Sequence, residues 1–353
     1  MTIEEKRAAF ARFWEGKGPS LLLLPAGNVP QYDTTDYVAR FEDPELMWEA
    51  EMRRARAIAD WPTDGIPAVR PNLGVIFIPG AAGQPYKIGN DTMPWPGEPM
   101  SRDEIRGLAA RDIEGSKLMG LARAFYQVHA QRGAGEAVAY HPDTQGIFSL
   151  AHLFYGDRIF TDLVDDPAWV RELLDATLAI HARVVRALKT YSGEPDCGIF
   201  HGHSFPNGVY FPNAGVRISE DTATMLAPRM VREFVLPWTR RAVAQWGGCF
   251  VHYCGRHQVL FQELCRMPEV CAIDLGNPEM YDTEWLMRNC AETGTVLFSP
   301  LPPTGEEGWC AYARRLGKLS RETGVRMILR PTVFPQERGE CASMLELWHE
   351  LTS

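Results

Sequence analysis

Residues 248–255 read Gly-Cys-Phe-Val-His-Tyr-Cys-Gly, an apolar run that rises into a His-x-Cys pair and stops at a glycine. In an extended strand, successive side chains point to opposite faces, so His252 and Cys254 share one face two residues apart. Imidazole nitrogen and thiolate sulfur are both ligands that zinc accepts in tetrahedral sites. The plain alternative is a buried thiol beside a core histidine, because free cysteine packs as a small hydrophobe. Metal chemistry therefore calls for a third ligand from elsewhere in the chain, with a fourth position left open for catalysis.

Asp274 is the candidate for that third ligand. It closes the apolar run Val270-Cys271-Ala272-Ile273, and a carboxylate at the edge of a core needs a partner. His201 and His203 repeat the alternation after Gly198-Ile199-Phe200, and Arg330 follows the run 325–329. Histidine titrates near neutrality, which suits proton transfer, and arginine suits an anion. These three are the candidate catalytic groups. Asn72, His141, Asp143 and Asn277 also fall where short apolar runs end, and Asn72 and Asn277 are candidate substrate contacts. Trp95, Tyr210, Phe211, Tyr253 and Phe334 are aromatic residues near expected loops. Tyr210 is the one assigned to a substrate pocket, although core packing explains such rings equally well.

Strands and helices alternate through the second half of the chain. Expected strands cover 198–200, 248–253, 270–274, 295–298 and 325–329. Expected helices cover 167–191, a stretch opened by Asp221, 259–266, 282–292, 306–323 and a last segment ending near Leu351. Asp166 and Pro167 supply an N-cap and a first-turn proline for the first of these helices. Earlier strand candidates are 21–24, 66–70 and 136–140, with helical stretches near 44–60 and 102–132. Such a succession points to a parallel sheet, and a total approaching eight units predicts an α/β fold of the (β/α)8 TIM barrel type. Residues 1–65 are expected as an N-terminal extension packed on a barrel of residues 66–353. An open doubly wound sheet is the competing architecture, but no Gly-x-Gly-x-x-Gly follows any strand.

Composition narrows the function. The 353 residues are 45% hydrophobic and 23% charged, enough to build a large core. A formal net charge of −9 argues against a nucleic-acid-coating role. No run reaches membrane-spanning length and no leading segment resembles a signal peptide, so a cytoplasmic protein is expected. Eight cysteines in a chain this long read as reduced thiols rather than a disulfide framework.

The order of features resembles the uroporphyrinogen decarboxylase superfamily, which includes decarboxylases and zinc- and cobalamin-linked methyltransferases. The likeness runs over roughly residues 40–350. It is carried by Leu150-Ala151-His152-Leu153-Phe154-Tyr155-Gly156, by 217–221 with Pro228, Glu233-Phe234-Val235 and Pro237-Trp238, and most specifically by His252-Tyr253-Cys254-Gly255. The last segment resembles the methyltransferase branch, where His-x-Cys holds zinc. In the decarboxylases an aspartate and a tyrosine stand near the positions of Asn72 and His152, which makes His152 a further substrate contact. Thr332 lies near the position of the methyltransferases' final cysteine ligand.

The resemblance implies a zinc-dependent methyltransferase moving a methyl group between a small O-, N- or S-methylated substrate and a corrinoid protein or other acceptor. His252, Cys254 and Asp274 would hold zinc, with a corrinoid carried on a partner and a homodimer as a possible assembly. The alternative is a metal-free, decarboxylase-like lyase acting on a carboxylated, tetrapyrrole-like substrate. A barrel retained only to bind such a ligand is a third reading.

Overall fold

A computed structural model describes residues 2–27, 29, 38–89, 93–203 and 206–353. Strands Cys249–Tyr253, Val270–Leu275, Val296–Ser299 and Met327–Leu329 alternate with helices Gln258–Cys265, Thr283–Thr293, Trp309–Thr323 and Arg338–Thr352. Their order is the one read from hydrophobic periodicity. These four strands lie at the centre of a six-stranded parallel sheet, flanked by Leu21–Leu22 beside Met327–Leu329 and by Val216–Ser219 beside Cys249–Tyr253. A second sheet runs in the order Val138–Ala139, Ile66–Val69, Asn207–Phe211, Ile199–His201. Its last three strands pair antiparallel.

The expected α/β class holds, and among the described residues the strands form two main sheets that do not pair into a closed ring. The departure lies in the hairpin of Ile199–His201 with Asn207–Phe211. Tyr210 and Phe211, expected near loops, belong to its second strand. Hydrogen bonds nevertheless join segments next to the second sheet to the two edge strands of the first. Asp64 donates its amide to the Leu22 carbonyl at 3.0 Å, and Gly146 donates to Ser219 at 2.8 Å. Residues 1–65 were expected as an extension; they contribute the edge strand Leu21–Leu22.

Alternation along the strands sorts side chains into two cores. Leu22, Val251, Ile273, Leu297 and Leu329 face the helices in the larger cluster. Leu21, Phe250, Ala272, Phe298 and Ile328 face inward and meet Ile66, Ile199, Val209 and Phe211 of the second sheet. Phe10 and Phe13 of the N-terminal helix Ile3–Trp14 join this inner cluster. Phe250 and Phe211 stack with ring centroids 4.4 Å apart. His252 and Asp274 continue the inward parity of Phe250 and Ala272, so the packing that buries these apolar residues also aims the polar ones.

The segment expected to be one helix from Asp221 is broken. A 3-10 turn Asp221–Met225 is followed by Pro228–Met230, a π turn Val231–Val235 and helix Leu236–Val243. Pro237 lacks an amide hydrogen and crowds the carbonyl four residues back, which accounts for the wider turn before it. The stretch 102–132 is likewise split, into Arg102–Arg106, Leu108–Ala110 and Lys117–Arg132. Truncating Phe250 to alanine should cost about 3–5 kcal/mol, because it empties the centre of the inner cluster. Denaturant unfolding would measure that loss as a lower midpoint with an unchanged slope.

Candidate metal and proton-transfer site

Parallel register builds the site. Asp274 pairs with His252 across one ladder and Ser219 pairs with His252 across the other, so three strand ends lie side by side. Two residues past Ser219 and His252 come Asp221 and Cys254, and the Cys254 amide donates to Asp221 Oδ1 at 2.6 Å. Gly255, at φ +90°, ends the strand, and its amide donates to Asn277 Oδ1 at 2.9 Å. Gly276 is needed for space, since a Cβ there would come within 2.5 Å of Cys254 Sγ.

Asp274 is wholly buried and is the hub. Its Oδ2 lies 2.6 Å from His203 Nδ1 and 3.2 Å from His252 Nδ1, while its Oδ1 takes the Arg330 guanidinium. Burial pushes this carboxyl up, but Arg330, His203 and His252 outweigh burial and hold it well below the usual carboxylate range. The two histidine contacts are close, yet neither has hydrogen-bond alignment. Burial lowers His203 to about 4 in spite of Asp274, so its imidazole is neutral near pH 7.

On the solvent side, His252 Nε2 lies 3.5 Å from Cys254 Sγ and 3.7 Å from Asp221 Oδ1. Burial, reinforced by Asp221, pushes the Cys254 thiol up to about 11. Two groups of donor atoms thus converge, His203 with His252 and Asp274, and Asp221 with His252 and Cys254, each within 4.8 Å. Nitrogen, sulfur and carboxylate oxygen are zinc donors, so both sets suit that metal by type. His252 belongs to both. Cys254 and Asp274, expected on one metal, fall in different sets.

His203 has φ +45°, a left-handed backbone that a non-glycine residue adopts at a cost of about 1–3 kcal/mol. Its amide donates to His201 Nδ1 at 2.9 Å. His201 is fully buried below, between the rings of Tyr140 and Phe250. Burial lowers it well below the ordinary histidine value, with Arg217 and Arg70 adding to that effect.

Arg330 borders a cavity of about 390 Å³ with Leu23, Pro25, Gly202 and Pro300. A second cavity of the same size is lined by Arg70, Asn72, Trp95 and Asp143, and Arg54 borders both. Asn72 is buried and donates to Glu51 Oε1 at 3.2 Å. Asp143 pairs with Arg217 at 2.6 Å.

Other expected site residues are elsewhere or otherwise engaged. Tyr210 lines a separate cavity of about 570 Å³ with Arg7 and Ala11 of the N-terminal helix. His152 contacts Asp157 at 2.9 Å and Thr222 at 3.3 Å on helix Ile147–Tyr155. Asn277 braces the Gly255 turn and donates to Glu279 at 2.8 Å. His141 meets Glu194 at 3.0 Å. Thr332 Oγ1 donates to the Leu301 carbonyl at 2.8 Å, and Cys341 is buried against Pro335. Asp221 was read as a helix start and as part of the 217–221 likeness, not as a ligand. The two-residue step from the buried Ser219, the same step that links His252 to Cys254, was the available signal.

No family model matches the sequence, and no curated protein matches it. Among solved structures, a methyltransferase from Methanosarcina mazei is similar in fold, with a TM-score of 0.65 at 12% identity over 99% of each chain. Among the described residues, no helix is long and apolar enough to cross a membrane.

Glu220, beside Asp221, is fully buried and accepts the amides of Phe148 and Ser149 at 3.3 and 3.0 Å. Burial raises it to about 7, against those hydrogen bonds. The folded state then keeps a proton that the unfolded state has lost above its carboxylate value, so stability falls as pH rises from about 4.5 to 7 by up to about 1.4 kcal/mol per pH unit. Glu220→Gln should flatten that slope, as followed by denaturant midpoints across this range.

Proposed function

We propose that this chain is a zinc-dependent methyltransferase of the uroporphyrinogen decarboxylase superfamily. It would move a methyl group between a small O-, N- or S-methylated substrate and a corrinoid protein or other acceptor. The observation that carries the reading is the His252–Cys254 pair, aimed from one strand end at a point shared with a carboxylate. A fold similar to that of a methyltransferase supports it. The two sheets are read as arcs of one (β/α)8 barrel, supported by the hydrogen bonds from Asp64 and Gly146 to the edge strands of the first sheet and by the inner cluster the sheets share. In that reading residues 66–353 form most of the barrel wall and residues 1–65 complete and cover it.

Zinc, when bound, supplies a Lewis acid that activates a thiol or alcohol, or polarises a methyl ether. His252 and Cys254 would hold it through nitrogen and sulfur. The neutral imidazole of His203, its ring centroid 4.2 Å from that of His252, takes or returns the proton of the substrate heteroatom. Asp274 and Arg330 keep both imidazoles in place. The Arg330 cavity, bordered by proline and leucine, excludes water from one side of the small substrate.

Arg330 is engaged with Asp274, which weakens its candidacy as a clamp for a substrate carboxylate. The lyase reading loses its main anion-binding group by that contact. Protein purified without chelator should contain about one zinc per chain, and Cys254→Ala should leave below about a tenth of it. Elemental analysis decides this. Metal-free protein that releases carbon dioxide from a carboxylate would reverse the choice. Activity is tested by methylation of added cob(I)alamin, with methylated thiols, amines and phenol ethers as donors.

A further inference from the structure

Two donor sets share His252, and distances discriminate between them. Zinc bonds of about 2.0–2.3 Å at tetrahedral angles separate ligand atoms by roughly 3.3–3.7 Å. The spans from His252 Nε2 to Cys254 Sγ and Asp221 Oδ1, 3.5 and 3.7 Å, meet that requirement. The 2.6 Å from His203 Nδ1 to Asp274 Oδ2 does not. It is shorter than two ligands of one tetrahedral zinc can approach.

We infer that Asp221 is the third metal ligand beside His252 and Cys254, and that Asp274 instead determines which nitrogen of His252 and His203 carries the proton. The assignment rests on the zinc reading above. Asp274 is anionic beside Arg330. Its Oδ2 faces the Nδ1 atoms of both histidines. A lone pair on either nitrogen would repel that oxygen, so each Nδ1 bears hydrogen. A neutral imidazole has a single N–H. His252 Nε2 therefore keeps its lone pair, and that atom faces Cys254 and Asp221. His203 Nε2 is left as a proton acceptor by the same constraint. A carboxylate behind a metal-bound histidine raises ligand basicity and fixes ring orientation. Asp274 is thus a positioning residue.

His201 provides an internal contrast. Its Nδ1 accepts the His203 amide, so its own proton sits on Nε2, the opposite tautomer.

Long-range nitrogen–proton spectra of the 15N-labelled full chain, recorded without metal at mildly alkaline pH, read each tautomer directly. His203 and His252 should carry Nδ1–H and His201 Nε2–H. Asp274→Asn should shift His252 toward Nε2–H and weaken zinc binding by about 10–100-fold in chelator competition. With cobalt in place of zinc, this variant should retain the thiolate charge-transfer band of Cys254. Asp221→Asn should lose zinc affinity while both tautomers stay as in the wild type.

An Nε2–H signal for His252 in the wild type would overturn the tautomer assignment. Unchanged zinc affinity in Asp221→Asn, or zinc binding abolished by His203→Asn, would overturn the ligand assignment. His203→Asn keeps a side chain that tolerates the left-handed backbone, so it serves if Asp274→Asn fails to fold. Normal zinc binding with no methyl transfer to any donor or acceptor would sink the functional reading alone. A wild type that binds no zinc would remove the ligand assignment and leave the spectra to decide the role of Asp274.

Discussion

A single buried carboxylate organises the strand ends of this protein. Asp274 has no solvent contact, and leaving its charge unpaired there would be costly. Arg330, His203 and His252 remove that cost by facing it together. Each arrives from a different segment, so the charge ties Met327–Leu329, the end of the Ile199–His201 hairpin strand and Cys249–Tyr253 to Val270–Leu275. Arg330 donates to one carboxylate oxygen, which leaves the other to face the imidazole rings. His203 stays neutral because burial dominates, and neutrality is the state in which imidazole binds metal or accepts a proton.

The inner apolar cluster sets the depth at which this happens. Phe250, Phe298 and Phe211 fill the space below with Ala272, and the next inward positions after Phe250 and Ala272 are His252 and Asp274. Polar groups therefore begin where the aromatic layer ends. Cys254 and Asp221 lie one inward step further, on the solvent side of His252. A gradient from dry aromatic packing, through a charge-balanced buried layer, to exposed sulfur is written in steps of two residues.

That gradient was legible where the chain is regular. The His-x-Cys strand, Asp274 on its neighbour, His203 and Arg330 all stood at the ends of apolar runs, and the structure brings them together. What escaped were features without a period. Asn207–Phe211 comes four residues after His203 and pairs antiparallel with Ile199–His201, which no alternation of strand and helix announces. Asp221 sits just past a strand too short to stand out, before a segment whose prolines break the helical stripe. Tyr210 was assigned to a pocket by its aromatic type alone, and a ring on a strand can as readily face the N-terminal helix. The choice between ligand and support at Asp274 depends on tenths of an ångström, and spacing carries no such information.

The left-handed backbone at His203 limits how this protein can change. Few residue types accept that conformation, and glycine, asparagine and aspartate accept it most easily. Each of those would ease the main chain while abandoning the ring that meets Asp274. A lineage drifting at this position must therefore either tolerate a strained turn or give up the imidazole, with no intermediate side chain that satisfies both. Retained histidine in distant descendants would mark the ones in which the contact with Asp274 is still selected.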